Sequence, residues 1–228
     1  MKITLKHILL TSIALFGALM FLIGLLVPET VSFAFNSKGT AAYVPPLPAG
    51  EFSGSLLSVA NVTKEQFVKA ALLGDFQSLG LFGAVYYDIA VLVMLGQSSA
   101  SSGVYEAAYV LASVYKVLAV IGLVICILCI VAAIGAFFIP SMKGARGLTI
   151  PFFAFLFIWA GVMMVILALP GASTLALNES ATYKEVFQIV VKRSAPGIIF
   201  MVISMIAFVA MLIVPGVVKE KVLVGKKD

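Results

Sequence analysis

Few residues of this 228-residue chain have the types and spacing that chemistry needs. Cys126-Ile-Leu-Cys129 has the CxxC spacing, which on a helix sets both sulfurs on roughly one face. A metal held there would need about two further ligands. The single His, His7, lies in another apolar run. A buried Cys behaves as a small apolar residue, so packing is the expected role, with lipidation or redox exchange as the chemical alternatives. His7 reads as an interfacial residue beside Lys6. Asp88, near the centre of "LGLFGAVYYDIAVLVML", has two readings. It is a cation or proton site with Lys116, or a carboxylate hydrogen-bonded beside Tyr86 and Tyr87. No HExxH, phosphate-binding loop or dinucleotide fingerprint occurs. The expectation is therefore a non-enzymatic protein with no catalytic residue, cofactor, metal site or nucleic-acid partner. Two of the three Asn head N-x-[ST] sequons, Asn61 and Asn178, and both are candidate glycan acceptors.

Composition decides what must position these groups. Hydrophobic residues make up 62% of the chain, charged residues 11%, and the mean hydropathy is +1.17. A soluble domain carries about 25% charged residues, so the class is integral membrane protein. A hydrocarbon core of about 30 Å takes about 20 helical residues. Four stretches are long enough: His7–Val27, Val117–Ile139, Leu148–Pro170 and Pro196–Val214. The first follows Lys2 and Lys6 as a signal peptide would. Its apolar run is longer than the roughly 7–15 residues of a signal core, so it reads as a retained anchor.

Charge orients the spans. With four crossings and both ends cytoplasmic, segments 1–6, 140–147 and 215–228 hold eight Lys and Arg against Glu220 and Asp228. The external loops, 28–116 and 171–195, carry seven cations and eight anions. That is the positive-inside bias. A fifth span at 79–95 would bury Asp88 and put "PSMKGARG" and the lysine-rich C-terminus outside, so this stretch is read as external or interfacial. Asn61 and Asn178 then both fall outside.

Within the first loop, 37–50 is rich in Gly and Pro and reads as extended or turn-containing. Thr63-Lys64-Glu65-Gln66 has the form of a capping box, predicting a short helix from Lys64 to Leu73. "GQSSASSG" (96–103) reads as a turn, and from Val104 a helical pattern runs unbroken into the second span. In the second loop, Thr182-Tyr183-Lys184-Glu185 repeats the capping pattern. Val186, Phe187, Val190 and Val191 follow at helical spacing, predicting an amphipathic helix closed by Lys192 and Arg193.

The spans carry packing signals. Gly17 and Gly24 lie in the first, Ala132 and Ala136 in the second, Ala154 and Gly161 in the third. Small residues so spaced let helices approach closely. Trp159, the only Trp, sits mid-span and is expected to fill a gap between helices.

The pattern of four spans, long first loop, tiny basic inner loop and short second loop resembles the claudin-like tetraspan membrane proteins. It is most similar to the fungal PalI-type and eisosome-type group. "FLIGLLVPETVSF", "VYYDIAVLVML" and "IPFFAFLFIWAGVMM" carry that resemblance. Claudins proper have a Trp and a Cys pair in the first loop; this loop has neither, so no residue role is carried over. The expected fold is an all-α, four-helix membrane bundle with a partly structured extracellular cap that contains a few strands. The resemblance implies a multi-pass protein of a eukaryotic plasma membrane. Such a protein scaffolds a membrane domain, or assists a sensor or channel complex, through membrane lipids, other membrane proteins or self-association. The alternatives are a small transporter or channel subunit using Asp88 and Lys116, and an accessory subunit of a larger membrane complex.

Overall fold

A computed structural model describes residues 3–37, 50–58, 63–66, 69, 79–80, 83, 102–138, 151, 153–162, 187–218 and 222–224. The elements in chain order are β1 (Ile3–Thr4), α1 (Leu5–Leu26), β2 (Pro28–Ser37), β3 (Gly50–Ser55), α2 (Ser102–Phe138), α3 (Phe153–Val162), β4 (Phe187–Ser194), α4 (Pro196–Val217) and β5 (Val222–Val224). They divide into a helix unit, Met1–Leu25, Val120–Met163 and Gly197–Asp228, and a sheet unit, Leu26–Ala119 and Met164–Pro196.

Proline sets two of the helix boundaries. A residue before Pro is pushed out of the helical region; Val27 precedes Pro28, and α1 stops at Leu26. Pro196 opens α4, where its missing N–H costs nothing because the first amides of a helix have no partner anyway. Three helices are long and apolar enough to cross a membrane: α1, the Lys116–Ala136 part of α2, and α4. α3 is a shorter apolar helix within the predicted third span; residues 163–170 of that span lie outside the described residues. α2 begins at Ser102, and its 37 residues extend for about 55 Å at 1.5 Å per residue. It therefore runs well past its apolar segment, as the unbroken pattern from Val104 predicts. Val114, Val117, Ile121, Val124, Leu128 and Val131 form an exposed stripe along it. An apolar face of that extent is a liability in water; hydrocarbon is its natural surrounding. The architecture is that of an α-helical multi-pass membrane protein.

Side-chain contacts give the helix directions. From Gly24 to Gly17 to Lys6, α1 meets α4 near Gly197, then Ala207, then Pro215, so the two are antiparallel. The same holds for α2: the Cys126 thiol donates to the Ala18 carbonyl at 3.2 Å, and His7 meets Ala136. α3 runs parallel to α1, with Phe153 against Gly17 and Trp159 against Phe21. The helices alternate in direction, and α1 touches all three others.

In the sheet unit the strand order is β3-β2-β4, all antiparallel. Pro28-Glu-Thr-Val-Ser-Phe alternates: Glu29, Val31 and Phe33 are buried, whereas Thr30 and Ser32 are partly exposed. Alternation of this kind is the pattern of a strand with one covered face. Phe52 of β3 lies opposite Val31 and meets Phe33 edge to face at 5.9 Å. The second-loop prediction is corrected here. The segment read as an amphipathic helix is strand β4 over Phe187–Ser194. Its Ile189-Val190-Val191 run is β-branched, and eight residues pair with β2 from Thr30↔Ser194 to Ser37↔Phe187. Packing against a neighbouring strand outweighs a local periodicity that suits either structure.

Candidate functional site

The sheet's covered face contains a buried charge. Glu29 is the second residue of β2, and Arg193 is one residue from the end of β4. In the register Arg193 pairs with Val31, so the guanidinium reaches diagonally along the same face to Glu29. The Arg193 Nη2 to Glu29 Oε2 distance is 3.6 Å, with the Glu29 side chain 0% exposed and that of Arg193 20%. At that separation the contact is an ion pair rather than a hydrogen bond. A carboxylate neutralised this way is a poor general base. What the pair does is make one pairing of β4 on β2 far better than its neighbours, because a slip would leave a charge buried alone.

The sequence reading missed this pair, assigning Arg193 to the end of a helix. A signal was present. Glu29 falls in phase with Val31 and Phe33, and an acid on the apolar phase of a strand demands a cation.

At one end of the helix unit two neighbouring residues serve two other helices. The Lys6 ammonium donates to the Pro215 carbonyl at 2.9 Å, two residues before the last residue of α4. His7 Nε2 lies 2.7 Å from the Ala136 carbonyl, in the last turn of α2. Nε2 must carry the proton to donate there. The last carbonyls of a helix lack intrahelical partners and form its negative pole, so both contacts place a donor where the backbone needs one. Thr11 in turn donates to the His7 carbonyl at 2.9 Å. Beyond them β1 pairs with β5, Ile3 opposite Val224 and Thr4 opposite Val222. The first and last strands among the described residues thus lie side by side.

The remaining sequence-predicted positions fall as follows. Cys126 and Cys129 are both buried free thiols. Gly17 lies against the Phe153 ring, and Gly24 against the Gly197 carbonyl and Met201. Of the small residues singled out in α2, Ala136 is buried and Ala132 only half-buried, and Ala133 beside it is buried too. An added Cβ at Gly161 would meet nothing within 4 Å, so no close approach is made there. Gly122, not singled out in the sequence, makes one: a Cβ would lie 2.9 Å from the Trp159 ring. Trp159 is buried between that glycine and Phe21, whose ring centroid is 5.1 Å away. Lys116 is a half-buried residue of α2. Asp88, Asn61 and Asn178 lie outside the described residues.

The capping box at Thr63 forms in both directions. The Thr63 amide donates to Gln66 Oε1 at 2.9 Å, and the Gln66 amide donates to Thr63 Oγ1 at 3.2 Å. Lys64–Gln66 are helical, while Leu73 lies outside the described residues. Of the 79–95 stretch, Leu79, Gly80 and Gly83 are described, Gly80 in a turn and Gly83 helical. Gly83 donates to the Gly80 carbonyl at 2.9 Å, and Gly80 has φ +56°.

No family model, curated protein or solved structure matches the chain.

Proposed function

We propose that this chain is a four-span, non-enzymatic membrane protein that organises or scaffolds a membrane domain, or assists a sensor or channel complex, through lateral helix contacts and its sheet. The observation that carries this reading is the sheet itself. Strands from opposite halves of the sequence meet in one register on a covered face, with Glu29 and Arg193 paired there. Such an assembly makes a shaped surface for a protein partner without offering a nucleophile or base.

Support for four crossings comes from parity. β1 and β5 pair, and Lys6 reaches Pro215, so the chain ends share one end of the helix unit. An even number of crossings satisfies this, and three long helices with α3 as the fourth supply it. The claudin-like resemblance agrees in topology. In this reading the sheet is extracellular and both termini are cytoplasmic.

The test uses the full-length protein in eukaryotic cell membranes, with clustering followed by single-molecule fluorescence. Arg193→Glu is expected to disperse clusters, and the swap Glu29→Arg/Arg193→Glu to restore them in part. Clustering indifferent to both removes the sheet from the function. Solute flux through purified protein in liposomes, abolished by Asp88→Asn, would replace the scaffold with a transporter. Glycosidase shifts lost stepwise in Asn61→Gln and Asn178→Gln test the sidedness.

A further inference from the structure

α2 has two seams of one period and opposite composition. On the first, Ala119, Gly122, Cys126, Cys129, Ala133 and Ala136 recur in alternating steps of three and four residues, all small and all buried. That seam is used within the chain: Gly122 meets Trp159, Cys126 meets Ala18 and Ala136 meets His7. On the second, Val110 is followed by Val114, Val117, Ile121, Val124, Leu128 and Val131, again in steps of four and three. These side chains are all large and apolar, and 39% to 60% exposed. Period alone does not set this face apart, because α4 shows the same alternation from Ile199 to Ile213. Reach sets it apart. The exposed apolar face of α4 runs from Ile199 to Val217, about 27 Å, and fits a hydrocarbon core of about 30 Å. That of α2 runs from Val110 to Phe138, about 42 Å. Holding it in hydrocarbon needs a tilt of about 45°, outside the range of roughly 0–40° found for membrane helices. Lys116 opens the apolar part of α2, where a charge belongs at the hydrocarbon edge, and Val110 lies about 9 Å beyond it. The upper end of the stripe thus leaves the lipid tails and meets water, where exposed apolar surface costs free energy.

We propose that this face of α2 binds the same face of a second copy of the chain, side by side in one membrane. The dimer is the lateral helix contact of the scaffolding reading, and so rests on that reading. Three arguments select a second copy. The seven side chains from Val110 to Val131 offer on the order of 600 Å², and Val120, Ile127 and Ile134 beside them bring the face to about the 800 Å² per partner of a standard interface. Copies of one chain cross a membrane in the same direction, so a two-fold axis along the membrane normal sets each seam residue opposite its own counterpart, and the shared 3.5-residue repeat lets knobs enter holes. No seam position carries a charge that would select a different chain over another copy. Lipid tails cover the part within the membrane; a partner helix covers Val110 and Val114 as well.

The experiment labels the full-length chain with one dye per copy, reconstitutes it in liposomes at falling protein-to-lipid ratios, and counts bleaching steps. Two-step bleaching above the random level, declining with dilution, is expected. Val110→Lys and Val110→Glu, each alone, are expected to weaken the dimer about tenfold, because like charges meet across the axis, and an equal mixture of the two to restore it. Unchanged Trp159 emission is the check on folding. Under copper phenanthroline, Val110→Cys is expected to give a disulfide-linked dimer several times faster than Lys116→Cys, which lies off the seam. One-step bleaching at every ratio overturns the inference and leaves the face to lipid. A dimer that neither charge variant weakens, or equal crosslinking from Val110→Cys and Lys116→Cys, overturns its placement on α2. Crosslinking of Val110→Cys to another protein in cell membranes, with no homodimer, overturns the choice of partner. The two readings fail separately: a dimer without clusters in cell membranes supports the inference and removes the scaffolding role, whereas clusters without a dimer do the reverse.

Discussion

The helix unit and the sheet unit use charge in opposite ways. In the helix unit the described charged contact is at an end, where Lys6 meets a helix carbonyl, and the interior is joined by close approach: Gly17 on Phe153, Gly24 on Gly197, Gly122 on Trp159. The sheet unit instead puts an ion pair on its covered face, the face that carries Val31, Phe33 and Phe52. Surroundings explain the contrast. Helices bathed in hydrocarbon gain nothing by hiding apolar surface from lipid, so they associate through fit. Strands gain register from a feature that only one alignment can satisfy.

The contrast is most sharply broken at Arg193. Arg193→Met leaves Glu29 buried without that cation, at a cost of about 3–5 kcal/mol. Hydrogen exchange should rise in β2 and β4, with little change in Trp159 emission, which reports on the helix unit. The double change Glu29→Leu/Arg193→Met should recover most of the loss, because an apolar pair is often as stable as a buried ionic one. Next is Gly17→Leu, which drives a side chain into the Phe153 ring; about 1–3 kcal/mol is expected, with the reverse signature of altered Trp159 emission and unaltered exchange in β2. Thr63→Ala removes one half of the capping box, costing the short helix about 1 kcal/mol, seen as faster amide exchange at Lys64–Gln66. Smallest is Gly161→Ala. Open space surrounds that position, so thermal unfolding should shift upward slightly, by up to about 1 kcal/mol from helix propensity. A clear loss there would mean that Gly161 is covered by a partner helix in the membrane.

Much of this was legible in the chain. Length and hydropathy located α1, the apolar part of α2, and α4 to within a few residues, because a membrane crossing is a one-dimensional requirement. The capping box was legible for the same reason: Thr63 and Gln66 act within one turn. β4 was not. Val186, Phe187, Val190 and Val191 satisfy a helical period, and only the presence of β2, more than 140 residues earlier, makes the segment a strand. The Glu29–Arg193 pair shares that origin, since its partners meet only after the sheet has formed. Among the glycines, Gly17 and Gly161 look alike as letters in an apolar run. Whether a neighbour arrives is a property of the bundle, and here Phe153 arrives at one and nothing at the other.

The pairing of β1 with β5 also imposes an order on biosynthesis. Ile3 and Thr4 are made long before Val222–Val224. While the ribosome is translating, the N-terminal strand has no partner, and the carbonyl that Lys6 caps does not yet exist. The strand pair can form only after Val222–Val224 have been made. A nascent protein therefore waits, half assembled, with Ile3–Thr4 held for a segment made much later.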